Sequence, residues 1–233
     1  MIEIKTLATG SKGNCYHVTD GATSLLLEAG ISFRQIQRSI DFNTADLQGC
    51  LITHEHLDHC KGAEGVAKAG IDIYLSQGTK EARGLSGHRY KVIEARQSFK
   101  IGTWTILPFE TEHDVSEPLG FLLMNQKGEK LLFATDTYYI KYRFNGLTHL
   151  LVECNYAEDI LKRNIESGRV HPSMEKRLLR SHFSLENVKE FLKANDLSKV
   201  QEIWLIHLSD SNSDEARFKR EIEELTGRMV IVP

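Results

Sequence analysis

Residues 53–59 read Thr-His-Glu-His-Leu-Asp-His and follow the apolar pair Leu51-Ile52 at the end of a strand-like run over 47–53. No other stretch limits the fold so sharply. In an extended chain residues two apart project to the same side, so His54 and His56 face one way; the turn into a helix lets Asp58 and His59 reach back toward the same point. Four donors within six residues can serve two neighbouring cations. Imidazole and carboxylate suit zinc, manganese or iron, and no thiolate belongs to the set. A strand that ends in a polar cluster and leads into a helix is how α/β folds place their sites.

Around this motif the hydrophobic pattern predicts a mostly β first half and a helical second half. Alternating runs at 2–7, 15–18 and 24–27 read as a strand meander, broken by the Gly-rich turn 9–14. A helix follows over 32–40, with Phe33, Ile36 and Ile40 on one face. Helices near 62–69 and 78–84 flank a strand at 71–75, and 92–107 and 121–133 read as further antiparallel strands. Helices at 158–167, 174–180 and 185–194 come next, then a strand at 202–207, a helix at 213–225 and a closing strand at 229–232. No repeat, low-complexity tract or linker divides the chain, so residues 1–233 are expected to form a single domain. Runs such as Leu131-Leu132-Phe133-Ala134 are apolar throughout and call for cover on both faces, as in two sheets with helices outside.

The motif His54-x-His56-x-Asp58-His59 after a buried strand resembles the signature of the metallo-β-lactamase fold hydrolases. Thr111-Glu112-His113-Asp114, Ala134-Thr135-Asp136-Thr137 and Ile206-His207-Leu208-Ser209 are similar to that family's later ligand segments and stand in its order. The resemblance implies a four-layer αββα metallo-β-lactamase sandwich of the α/β class. It also implies two divalent metal ions, zinc or manganese. His54, His56 and His113 would hold one, Asp58, His59 and His207 the other, and Asp136 would bridge them. Two such ions lower the pKa of a clamped water from ~15.7 toward neutrality and polarise the scissile group. Glu28 stands where the wider superfamily usually carries Asp.

Nuclease branches of this fold carry a glutamate and a non-ligand histidine between the bridging aspartate and the last histidine. Glu153 and His182 occupy those places. A histidine beside the metals can protonate a leaving alkoxide, and a glutamate on its far nitrogen would orient it and favour its charged form. Asp58, His182 and Glu153 are therefore the expected catalytic residues. Within the superfamily the chain is most similar to the YycJ/WalJ-like exonuclease group, through Gly10-Ser11-Lys12-Gly13-Asn14-Cys15, Glu153-Cys154-Asn155-Tyr156 and His207-Leu208-Ser209. Leu185 stands where that group often has Asn. Only 22 residues separate His113 from Asp136, too few for the tRNA-binding arm of transfer-RNA processing enzymes, and the 28 between Glu153 and His182 cannot hold the extra domain of the β-CASP nucleases.

Net charge gives no hint of a nucleic-acid partner: 29 Lys and Arg against 32 Asp and Glu leave −3. Locally the picture differs. Between 162 and 182 lie six cations and two acids, an excess of four positive charges directly before His182, and such clusters bind phosphate backbones. Arg177, Arg180 and the turn residue Lys12 are the candidate phosphate contacts. The expected function is a metal-dependent phosphodiesterase on nucleic acid, DNA favoured over RNA and exonuclease-like. A glyoxalase II-type thioester or small-ester hydrolase would use the same seven ligands, and a metal-binding scaffold without turnover is the rival of another class. The other histidines, His17, His88, His149 and His171, read as surface or strand residues, Cys60 as packed under the helix, and Trp104 and Trp204 as core. The four scattered cysteines, the lack of a signal-peptide pattern and the absence of an apolar run near ~18 residues predict a cytoplasmic protein without a membrane span.

Overall fold

In the computed structural model, which describes Met1–Pro233, the chain forms two units, one of Met1–Glu110 with Val115–Glu129 and the other of Thr111–Asp114 with Lys130–Pro233. The first unit begins with the expected meander, β1 (Glu3–Ala8), β2 (Cys15–Thr19) and β3 (Ser24–Leu27), paired antiparallel in that order. Helix α1 (Phe33–Ser39) starts at a capping box in which Ser32 and Gln35 satisfy each other's backbone, and buries Ile36. It returns the chain to β4 (Leu47–Leu51), which lies parallel to β3. The motif then supplies α2 (Leu57–Cys60), followed by α3 (Ala63–Lys68), β5 (Ile73–Leu75), α4 (Gln77–Ala82) and β6 (Tyr90–Val92).

These six strands form one sheet in chain order, with β4, β5 and β6 parallel. Leu26, Ile36, Cys50, Ile52, Val66 and Ile73 pack together as its core. β7 (Phe99–Ile101), β8 (Trp104–Glu110) and β9 (Leu119–Met124) form an antiparallel ribbon in the same unit. The run 92–107, expected as antiparallel strand, holds β7 and β8, which pair antiparallel; β6, which reaches only Val92 of it, is parallel to β5. The chain then turns tightly between β7 and β8 at Gly102 (φ +53°), where a Cβ would stand 2.2 Å from Thr23 Oγ1. The ribbon is tied down beside that turn: Trp104, fully buried, donates to Thr23 O at 3.1 Å, and Thr103 Oγ1 donates to Asp20 at 2.6 Å.

The second unit is built from parallel strands and crossover helices. β10 (Lys130–Ala134), β11 (His149–Glu153), β12 (Glu202–Ile206) and β13 (Met229–Ile231) pair in parallel and in that order. Helices α5 (Glu158–Glu166), α6 (Ser173–Ser181) and α7 (Leu185–Lys193) lie between β11 and β12, and α8 (Glu215–Thr226) precedes β13. Every residue of β11 is buried, the mark of a parallel strand covered on both faces. Trp204 departs from the expected core position: it is half-buried in β12, and its Nε1 reaches Glu202 at 3.0 Å. An indole N–H needs an acceptor, and Glu202 at the start of β12 provides one. No helix is long and apolar enough to cross a membrane.

Candidate functional site

In both units the parallel strands end at the predicted residues. β4 runs out at Leu51, two residues before Thr53, and in the second unit β10 ends two residues before Asp136, β11 at Glu153 and β12 one residue before His207. The C-terminal ends of parallel strands are where an α/β fold can converge side chains from distant parts of the chain. Three of the six non-glycine residues with positive φ sit here: Glu28 (65°), Asp136 (46°) and His207 (54°). Backbone held in the left-handed region costs free energy and persists where the surrounding structure requires it.

In the first unit the four donors of the motif do come together. His54 Nε2 lies 3.0 Å from His56 Nδ1, the rings of His54 and His59 are 4.2 Å apart, and His59 Nε2 is 3.4 Å from Asp58 Oδ2. Gly30 makes the tight entry to α2 possible, since a Cβ there would fall 1.7 Å from the Asp58 carbonyl oxygen. Beneath them Glu28, wholly buried, accepts from Thr53 Oγ1 at 2.5 Å, and Thr53 Oγ1 is 2.9 Å from His54 Nδ1. With its own proton given to Glu28, Thr53 can only accept from the ring. His54 is thereby fixed as the Nδ1–H tautomer, with the Nε2 lone pair turned toward His56. Burial raises the Glu28 carboxyl above its ordinary range, and contacts from His59 and Thr53 offset part of that rise.

The second unit gathers His113, Asp136, Glu153, His182 and His207. Glu153 is fully buried at the end of β11 and accepts four hydrogen bonds. Oε1 takes His182 Nδ1 at 2.6 Å and His207 Nδ1 at 2.9 Å, while Oε2 takes the backbone N–H groups of Thr137 and Phe183, each at 3.1 Å. Four donors use the full acceptor capacity of a carboxylate. Burial opposes its charge, yet His182 and the other donors outweigh that and hold Glu153 below the usual carboxylate range. For His182 burial likewise opposes the charged form, and Glu153 reverses the balance and raises its pKa. His207 Nδ1 also lies 3.0 Å from Asp136 Oδ1, so its proton is held on that side and Nε2 carries the lone pair. His113 Nε2 stands 3.9 Å from Asp136 Oδ2, and the His113 and Asp136 loops are joined by Glu112 N to Thr137 Oγ1 (3.0 Å) and Tyr138 N to Glu112 O (3.2 Å).

This donor set fits divalent cations. Buried imidazoles present unprotonated nitrogens oriented by hydrogen bonds on the opposite ring nitrogen, which is the arrangement of metal-binding histidines. Asp136, Glu153, His182 and His207 offer candidate ligand atoms within 4.8 Å of one another. Cys60 is not a competitor: its Sγ donates to Glu55 O at 3.2 Å, and burial pushes the thiol up to about 11.

The predicted phosphate contacts are less concentrated. Arg177 and Arg180 lie on the exposed face of α6, which ends at Ser181, and Lys12 is exposed in the turn after β1. Ser181 Oγ donates to Asp114 at 3.0 Å, and Arg177 adds to the interactions that hold the Asp114 carboxyl low against its partial burial. Two residues beyond those expected from the sequence support the site, Thr53 and Asn14, whose amide lies 3.3 Å from His59 Nε2. Thr53 opens the motif, whereas Asn14, although it lies in the Gly10–Cys15 motif, is 45 residues from its partner and nothing local ties it to His59.

The chain belongs to the beta-lactamase superfamily, whose domain model matches residues 23–208. It is similar to exodeoxyribonuclease WalJ of Streptococcus pneumoniae serotype 2 (strain D39), 30% identical over 224 residues that cover 89% of this chain and 81% of that protein. Exodeoxyribonuclease YycJ of Bacillus anthracis is 29% identical over 230 residues, covering 91% of this chain and 84% of its own length. Among solved structures, the metallo-beta-lactamase fold protein YhfI of Bacillus subtilis matches 100% of this chain and 95% of its own with a TM-score of 0.76 at 15% identity. The α/β metallo-β-lactamase fold expected from the motif is the fold of this chain.

Proposed function

We propose that this chain is a metal-dependent exonuclease that hydrolyses phosphodiester bonds of DNA. Membership of the superfamily, similarity to two exodeoxyribonucleases over most of the chain, and the imidazole and carboxylate clusters make it a metal-dependent hydrolase of the nuclease type. The finer reading assigns two ions, zinc or manganese. His54, His56 and His113 would hold one, Asp58, His59 and His207 the other, and Asp136 would serve both. Divalent ions so held would supply an activated water and polarise the phosphoryl oxygen. The chain's own residues do the rest: Glu153 keeps the His182 ring oriented through Nδ1, and Nε2 of the charged ring delivers a proton to the leaving sugar oxygen.

The observation that carries this reading is the 2.6 Å contact from His182 to the buried Glu153. A thiolate leaves without an acid, so a thioesterase of the glyoxalase II type has no use for it. Arg177 and Arg180 supply the phosphate track, with Lys12 as a further contact. A cytoplasmic location belongs to the same reading, supported by four buried cysteines that form no disulfide. The test is digestion of end-labelled DNA and RNA by the zinc- or manganese-loaded chain beside a thioester assay. Mononucleotide release from DNA ends is expected. Thioester turnover without nucleic-acid cleavage would overturn the proposal.

A further inference from the structure

The segment Thr137–Leu147 between β10 and β11 has no regular secondary structure and reads Thr-Tyr-Tyr-Ile-Lys-Tyr-Arg-Phe-Asn-Gly-Leu. Aromatic and cationic side chains alternate in it, and it contains no acid. It forms one wall of a cavity of about 310 Å³ whose opposite wall is Phe183 and α7. That is the lower end of the range that encloses small ligands, about 300–1,000 Å³, large enough for a single nucleotide and too small for a duplex. Tyr139 stands at the cavity 56% exposed, well beyond what a packing role requires of a ring. Lys141 Nζ lies 5.2 Å over the ring of Tyr142, and both Lys141 and Arg143 are exposed.

The loop is held rather than loose. Thr137 Oγ1 donates to Tyr139 O at 2.9 Å, Asn187 Nδ2 to Tyr138 O at 3.3 Å, and the Phe144 N–H to Asn195 Oδ1 at 2.7 Å. The acid that lines the cavity from α7, Glu190, is engaged by Lys193 at 2.8 Å. Both walls connect directly to the candidate chemistry. Tyr139 follows Asp136 by three residues, at most about 11 Å of extended chain, and Phe183 adjoins His182.

The geometry points to a subsite in which Tyr139 stacks one unpaired base of the substrate strand while Lys141 and Arg143 hold its phosphates. Interleaved aromatics and cations are what single-stranded nucleic acid binds without sequence preference, and a base can enter a cavity of this size only when it is out of its duplex. The inference rests on the nuclease reading and adds strandedness to it: the strand that this chain takes has a single-stranded or frayed end.

The test is the affinity of the metal-loaded full chain for a short labelled single strand, and for the same strand with abasic sites. Tyr139→Ala should weaken binding of the intact strand on the order of tenfold, Tyr139→Phe should restore it, and the loss should vanish on the abasic strand. Wild-type affinity in Tyr139→Ala, or an equal loss on both strands, overturns the subsite while leaving the nuclease reading intact. A wild-type chain that binds and cuts no strand overturns the nuclease reading, and the subsite with it.

Discussion

His182 Nδ1 lies 2.6 Å from Glu153 Oε1, and the carboxylate it touches has no exposed surface. A buried anion can orient the ring and hold it charged, which an acid catalyst needs. His182→Ala should therefore retain bound metal and lose ~10²-fold or more in cleavage of an ordinary phosphodiester. Loss on a nitrophenyl diester, whose leaving group needs no proton, should be much smaller. An equal loss on both substrates removes the acid role.

Asp136, proposed to serve both ions, sits at φ 46°. Asp136→Asn suits that backbone, since asparagine tolerates the left-handed region. It should fold normally yet lose metal and turnover together, as elemental analysis and a nuclease assay would report. Full metal occupancy with full activity contradicts the bridging assignment.

Thr53 touches no candidate metal position but fixes the proton on His54. Thr53→Val keeps shape and removes the acceptor, so metal affinity should fall 10–100-fold, the usual cost of losing such a supporting contact. Competition with a chelator measures it. Unchanged affinity means that the His54 tautomer is set elsewhere.

Replacing Arg177 and Arg180 with glutamine should flatten the salt dependence of nucleic-acid binding by about 1.5 in log–log slope, two phosphates' worth. The same slope in wild type and variant places the phosphate track away from α6.

Asp20 anchors the turn that receives the β7–β8 ribbon. Partial burial raises its pKa, but hydrogen bonds from Thr103 Oγ1 and the N–H groups of Thr23 and Ala22 more than offset this and hold it below the usual carboxylate range. A carboxyl depressed in the folded state stabilises the protein above its unfolded pKa, and that contribution is lost as pH falls through the folded value. Asp20→Asn should cost about 1 kcal/mol near neutrality, and the gap from wild type should close under acid conditions. Urea unfolding across pH decides; a pH-independent gap would falsify the linkage.

Much of the site could be read along the chain because its donors are chemically unusual and tied to strand ends. His54, His56, Asp58 and His59 are contiguous, and the strand before them is strongly apolar. The elements themselves followed hydrophobic period, and α1 and α7 lie within a residue or two of their expected bounds. Partner choice was less legible. That β6 is parallel depends on what it meets in space, and Trp204 escapes full burial because of its place in β12.

Sequence determined the candidate ligand types and their order, through the motif and the resemblance it carries, and the strand each follows, through hydrophobic periodicity. Tertiary structure decided what each group does there. Glu153 becomes a four-fold acceptor only because residues 137, 182, 183 and 207 converge on the end of β11. Likewise, the aromatic loop 138–144 becomes a cavity wall only once α7, some forty residues on, folds against it. Proton position and pocket shape are properties of distances between remote residues, and no window along the chain contains them.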